Sequence, residues 1–164
     1  MSGRYMAYVG SYSYTGKAKG ITVFDVDVEK GTFKERCEME VNNSSYVIAS
    51  SDGKTLYSIA DEGVVSFRIL QNGALARLNS APIRGMRGCH LCSDLEDKFI
   101  FVSGYHDGKT TILSLNKDGS VGGIVDGVYD KGYGSVAERN FRPHVTCTRR
   151  MPDNKYVLSV DNGV

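Results

Sequence analysis

Apolar and polar positions alternate along this chain in short runs broken by turn signals. The runs GITVFDVDV (20–28), VVSFRI (64–69) and KTTILSLN (109–116) change character almost residue by residue. In VVSFRI, Val64, Ser66 and Arg68 fall on one face and Val65, Phe67 and Ile69 on the other, the alternation of a half-buried strand. No stretch sustains helical spacing over any length. The pattern predicts an all-β chain.

Two kinds of turn recur and interleave. A charged turn followed by Lys and an apolar strand appears as SDGKTLYSIA (51–60), EDKFIFVSG (96–104) and PDNKYVLSVD (152–161). A Gly turn leading into an apolar residue appears as EKGTF (29–33), QNGAL (71–75) and KDGSV (117–121). Gly31, Gly73 and Gly119 are 42 and 46 residues apart; Lys54, Lys98 and Lys155 are 44 and 57 apart. A period in the forties, built of short strands and Gly turns, marks a β-propeller with one four-stranded antiparallel blade per repeat. The approximate repeats are 1–43, 44–85, 86–142 and 143–164. The second predicts strands at 46–50, 55–60, 64–70 and 74–79. The first predicts three strands, at 5–12, 20–28 and 33–41, without an inner one, and the fourth predicts two. The total is an open arc of about three and a half blades, whereas a closed ring typically takes about four to eight. A fragment of a longer chain is the simplest explanation; two copies sharing a ring, or a partner completing it, are the others. Open edges would favour self-association.

Composition adds limits. Among 164 residues there are 19 Gly, 10 Tyr and only 3 Pro, as suits turns and pleated surfaces. A net charge of +1 gives no field for nucleic acid or an acidic membrane surface, and no apolar run approaches the ~20 residues of a membrane span. The start MSGRYMAYVGSY has no leader-like apolar region, so a cytoplasmic protein is expected, with Cys37, Cys89, Cys92 and Cys147 as free thiols.

Candidate chemistry gathers where inner strands begin. His144 follows Pro143, which restricts how the chain enters the fourth repeat. Its imidazole can exchange protons near neutral pH, or simply hydrogen-bond the next blade. His90, in Gly88-Cys89-His90, occupies a similar place in the third repeat and either lines the channel or locks blades together. His106 is expected in a solvent-facing turn. An unusually long linker, 127–142, ends in Glu138-Arg139-Asn140-Phe141-Arg142 directly before Pro143. Long loops in compact domains are often functional, and a guanidinium grips phosphate or carboxylate through two parallel hydrogen bonds. Arg142 and Arg139 are therefore the expected substrate anchors, with Arg87 behind them; Glu138 is a candidate for orienting a histidine. The cysteines of Cys89-His90-Leu91-Cys92 fall on a predicted strand, where positions three apart face opposite ways, so buried thiols are expected rather than zinc. Residues 25–36 lack the Gly and Glu of a calcium loop. Arg149-Arg150 is too short for a nucleic-acid footprint. No metal and no cofactor is expected.

The stretches YVGSYSYTGKAKGITVFDVD, GVVSFRILQNGALARLN, GCHLCSDLEDKFIFVSGYHDG and RPHVTCTRRMPDNKYVLSVDNG resemble, in order, the lactonase-family β-propellers. That family includes bacterial 6-phosphogluconolactonases and fungal carboxymuconate cyclases. The resemblance implies a seven-bladed ring of which this chain forms roughly the N-terminal half, and whose closure supplies the missing inner strand of the first repeat. It implies hydrolysis of a sugar lactone, 6-phosphogluconolactone foremost, by water under His144 as proton carrier. Arginines would hold the anionic end, and His90 would contact the ligand. A muconate cycloisomerase and a non-catalytic binding propeller are the alternatives. Two positions depart from the family pattern: Thr146 stands where a second His is usual, and Gly88 where a Pro is usual.

Overall fold

The structure, a computed structural model, describes residues 5–134 and 140–164. Thirteen strands run in chain order among them: β1 (Tyr5–Gly10), β2 (Gly20–Asp27), β3 (Thr32–Glu40), β4 (Val47–Ala49), β5 (Thr55–Ala60), β6 (Gly63–Ile69), β7 (Leu75–Pro82), β8 (His90–Ser93), β9 (Phe99–Gly104), β10 (Lys109–Leu115), β11 (Val121–Tyr129), β12 (Val145–Arg150) and β13 (Val157–Asp161). They form four antiparallel meanders, β1-β2-β3, β4-β5-β6-β7, β8-β9-β10-β11 and β12-β13. This is the open propeller arc predicted from the repeats, with a three-stranded first blade and a two-stranded fourth.

The recurring turns hold the repeats to one geometry. Gly53, Asp97 and Asn154 occupy the same place in the turn between the first two strands of their blades, and all three have positive φ. The turns also latch neighbouring blades. The Ser51 N–H donates to the Asp97 carboxylate at 2.6 Å, and one blade further on the Leu95 N–H donates to Asn154 Oδ1 at 3.1 Å.

Apolar side chains fill two seams. Ile21, Val23, Val41, Leu56, Ala60, Val65, Phe67 and Leu75 pack the first blade on the second. Tyr57, Ile59, Val64, Leu91, Ile100, Val102 and Leu113 are prominent in packing the second on the third. The second blade is thus covered on both sides. The alternation read in VVSFRI is real, since Val64 faces one seam and Val65 and Phe67 the other, but both faces are buried rather than one. The seam between the third and fourth blades is polar at its centre. Buried Thr148 accepts a hydrogen bond from Ser103 Oγ at 2.8 Å and lies 3.2 Å from Thr110 Oγ1. Buried hydroxyls that satisfy one another avoid the cost of lost solvation.

The linker before β12 is shorter than predicted. β11 continues through residues 127–129, paired as Thr111↔Gly127, Thr110↔Val128 and Lys109↔Tyr129, and the Lys109 ammonium lies 5.2 Å from the Tyr129 ring centre. The loop therefore begins at Asp130.

Candidate functional site

In a four-stranded meander the second-to-third turn and the crossing to the next blade share one end of the sheet. Here that end carries the loops 11–19, 41–46, 61–62, 83–89, 105–108 and the described parts of 130–144. These loops touch along the arc: Arg87 reaches Asp61, Met86 N–H donates to Asp107 at 3.1 Å, and His144 reaches Tyr105.

His144 is the best-defined group at this end. It is 5% exposed, directly before β12. Its Nδ1 lies 2.8 Å from the Tyr105 carbonyl oxygen. A carbonyl only accepts, so Nδ1 carries the proton and Nε2 keeps its lone pair. Nε2 has no hydrogen-bond partner among the described residues. The ring stacks on Tyr105, centres 4.4 Å apart and planes 15° apart, with Phe141 edge-on at 6.2 Å. The backbone is held as firmly. The His144 N–H donates to both Asp161 oxygens at 3.0 Å, and its carbonyl accepts from Asn162 N–H at 3.0 Å. Gly163 closes the seat from below: a Cβ there would stand 2.8 Å from His144 Cδ2 and 2.0 Å from the Arg142 carbonyl oxygen.

His90 is placed differently from the sequence-based expectation. Counting from the shared turn, His90 pairs with Ser103 and Cys147 with Val160, so His90 matches Cys147 rather than His144. A bulge in β12 between Val145 and Cys147 falls outside this match and leaves it unchanged. His90 bridges blades. Its ring centre lies 4.5 Å from that of Tyr46, its Nε2 lies 3.6 Å from Cys147 Sγ, and its Nδ1 accepts from Thr148 N–H at 3.5 Å. Both ring nitrogens are occupied. Burial, then the Arg149 charge, pushes its pKa down, so it stays neutral.

The arginines separate as well. Arg142 is exposed, with its guanidinium 5.4 Å from the Phe141 ring centre. Arg87 donates to Asp61 at 2.9 Å and covers the Tyr12 ring at 4.9 Å, so its charge is partly matched. Arg139 and Glu138 lie outside the described residues. His106 is exposed in its turn, as expected. All four cysteines are free thiols; Cys92 is buried, while Cys37, Cys89 and Cys147 are half-buried. Among the described residues no group of three His, Cys, Asp or Glu side chains is arranged to hold a metal.

Arg149, read from the sequence only as half of a short basic pair, sits at a cleft. With Ile48, Ala49, Leu91, Cys92 and Ser93 it lines a cleft of about 340 Å³ on the inner strands. Five strand steps of ~3.3 Å separate it from His144, so the two lie toward opposite ends of the pore. Strand alternation from Cys147 was the available signal. A larger cleft, about 770 Å³, opens between the second and third blades at the end remote from His144. Its charges are largely matched locally: Lys54 by Asp52, Lys98 by Glu96, and Arg68 by the Asp118 carbonyl at 2.9 Å.

Comparison with known proteins agrees with this geometry. The family described as "Lactonase, 7-bladed beta-propeller" matches residues 6–164. A 6-phosphogluconolactonase of Bacillus subtilis (strain 168) is 32% identical over 167 residues, covering 98% of this chain and 47% of its own. The crystal structure of a provisionally named 6-phosphogluconolactonase from Bacteroides fragilis superposes with a TM-score of 0.90 at 34% identity, over 97% of this chain and 46% of that one. Another so named, from Bacteroides uniformis, gives 0.89 at 27% identity, over 96% and 47%. The chain spans about half the length of these relatives. It belongs to the seven-bladed β-propeller lactonase family.

Proposed function

We propose that the closed ring containing this arc hydrolyses a sugar lactone, with 6-phosphogluconolactone giving 6-phosphogluconate as the leading substrate. The observation that carries the reading is the His144 imidazole, fixed as its Nδ1–H tautomer by Tyr105 with Nε2 unbonded among the described residues. A water at Nε2 attacks the lactone carbonyl carbon while Nε2 takes its proton. The tetrahedral intermediate collapses, the ring C–O bond breaks, and the imidazolium returns the proton to the leaving alkoxide. One water is consumed and one hydroxy acid formed, with every proton carried by His144 and no metal required. General-base assistance of this kind contributes roughly 10²–10⁴-fold.

Arg142 is the proposed anchor for the anionic end, since its guanidinium is exposed two residues before His144. Arg139 is assigned the same task, Arg87 a weaker one because Asp61 already engages it, and His90 a place in the wall beside the ligand. The relatives named as 6-phosphogluconolactonases support the substrate class. The four free thiols support a cytoplasmic setting.

The test is hydrolysis of freshly prepared 6-phosphogluconolactone by the closed ring, above the spontaneous rate, beside a panel of other sugar lactones and muconates. Turnover of the phosphorylated lactone supports the reading. Turnover of muconate alone selects the cycloisomerase, and no turnover on any of them selects a binding propeller.

A further inference from the structure

We propose that the Asp61–Arg87 pair and Tyr14 form a subsite for the hydroxyl groups of a neutral sugar ring, at the same end of the arc as His144. Its use for a lactone rests on the reading above; the binding itself does not.

A circuit of contacts builds the subsite from three blades. Asn43, in the crossing from the first blade to the second, takes φ 54°, a left-handed conformation that Asn tolerates. The Ser13 and Tyr14 N–H groups donate to its Oδ1 at 2.9 and 3.1 Å, and Ser13 Oγ accepts the Asn43 N–H at 3.0 Å. The amide Nδ2 is left facing Asp61, where it donates to Oδ2 at 2.8 Å. Asp61 Oδ1 accepts from Arg87 Nη1 at 2.9 Å, and the guanidinium lies 4.9 Å from the Tyr12 ring centre. Tyr12 leans on Tyr14, with centres 5.8 Å apart and planes at 59°, which closes the circuit. The loop 11–19 is thereby tied to the loop 83–89 across the second blade.

This arrangement suits hydroxyls better than an anion. The ion pair is matched, so it adds little net attraction for a phosphate, and the engagement that weakens Arg87 as an anion anchor leaves it fit for uncharged groups. Each Asp61 oxygen accepts one side-chain hydrogen bond and keeps a second lone pair. Arg87 spends a single N–H on Asp61 and makes no other hydrogen bond among the described residues. Acceptors and donors therefore stand side by side. A vicinal diol, whose hydroxyls both donate and accept, satisfies both at once. The pair is reachable, with the Asp61 side chain 46% and the Arg87 side chain 32% exposed. Tyr14, 75% exposed, offers the negative face of its ring to the C–H groups of a sugar.

The experiment is an NMR titration of the 164-residue chain with D-glucose and, separately, with inorganic phosphate at constant ionic strength. Glucose is expected to give saturable shifts at the Tyr14 ring, the Asn43 side-chain amide and the Arg87 Nε–H, and phosphate to leave these signals in place. Asp61→Asn and Tyr14→Ser, each in a chain whose spectrum remains folded, are expected to weaken glucose binding about tenfold, the weight of one hydrogen bond or ring contact. Glucose shifts that do not saturate, an affinity unchanged in both variants, or phosphate moving the same signals in place of glucose overturns the proposal. None of these signals depends on turnover, so the subsite stands or falls separately from the lactonase reading. In the closed ring, Tyr14→Ser is expected to raise KM by the same factor for gluconolactone with and without its phosphate, at unchanged kcat, whereas Arg142→Ala raises it for the phosphorylated lactone alone. A Tyr14→Ser effect confined to the phosphorylated lactone contradicts a hydroxyl subsite.

Discussion

His90 and His144 both stand near the start of an inner strand, both are buried, and their imidazoles are held in opposite tautomers. At His90 a backbone N–H points at Nδ1, which forces the proton onto Nε2, and that proton is directed at Cys147. At His144 a carbonyl faces Nδ1, which forces the proton there and leaves Nε2 basic. The difference lies in what the neighbouring blade presents: the amide of a strand in one case, the carbonyl of a turn in the other. Burial alone therefore does not separate a structural histidine from a reactive one; the polarity of the partner does.

The comparison can be broken most forcefully at His144. His144→Gln in the closed ring is expected to lower kcat/KM for 6-phosphogluconolactone by roughly 10²–10⁴-fold, measured against spontaneous hydrolysis. Next comes Arg142→Ala, expected to raise KM by roughly 10–100-fold with kcat little changed, the loss of a charge-assisted hydrogen bond. Steady-state kinetics separate these effects.

His90 should show itself in stability. His90→Phe keeps a ring against Tyr46 but orphans the Thr148 N–H, at a cost of about 1–3 kcal/mol in denaturant unfolding. The sign of its pH effect follows from the lowered pKa. The unfolded chain takes up a proton near pH ~6.5 while folded His90 does not, so stability is full above that value and falls as pH drops below it. His90→Phe should flatten this acid limb. The smallest effect belongs to Arg87→Ala. Its ion pair with Asp61 is partly solvent-exposed, so about 0–1 kcal/mol of stability is expected, read from the same unfolding curves.

Much of the architecture was legible because turn chemistry repeats. Gly53, Asp97 and Asn154 mark one turn three times, and the strands follow from it. What the alternation in β6 did not disclose is that a blade between two others buries both faces, because period two records direction and not what lies in that direction. The candidate site was legible only in part. Pro143-His144 marked where the fourth blade begins, but the place of His90 was misread because only the strand register, counted from the shared turn, shows that His90 matches Cys147. Asp161 lies 17 residues from His144 along the chain, and only the β12–β13 hairpin register brings the two together. Tyr105 acts through its carbonyl, which no side-chain reading can anticipate.

The central claim concerns which nitrogen of each ring holds the proton. Nitrogen-15 correlation spectra of the imidazoles read this directly. The account predicts His144 as the Nδ1–H tautomer with an unprotonated Nε2, and His90 as the Nε2–H tautomer. A His144 protonated at Nε2, or two histidines with the same tautomer, would contradict it.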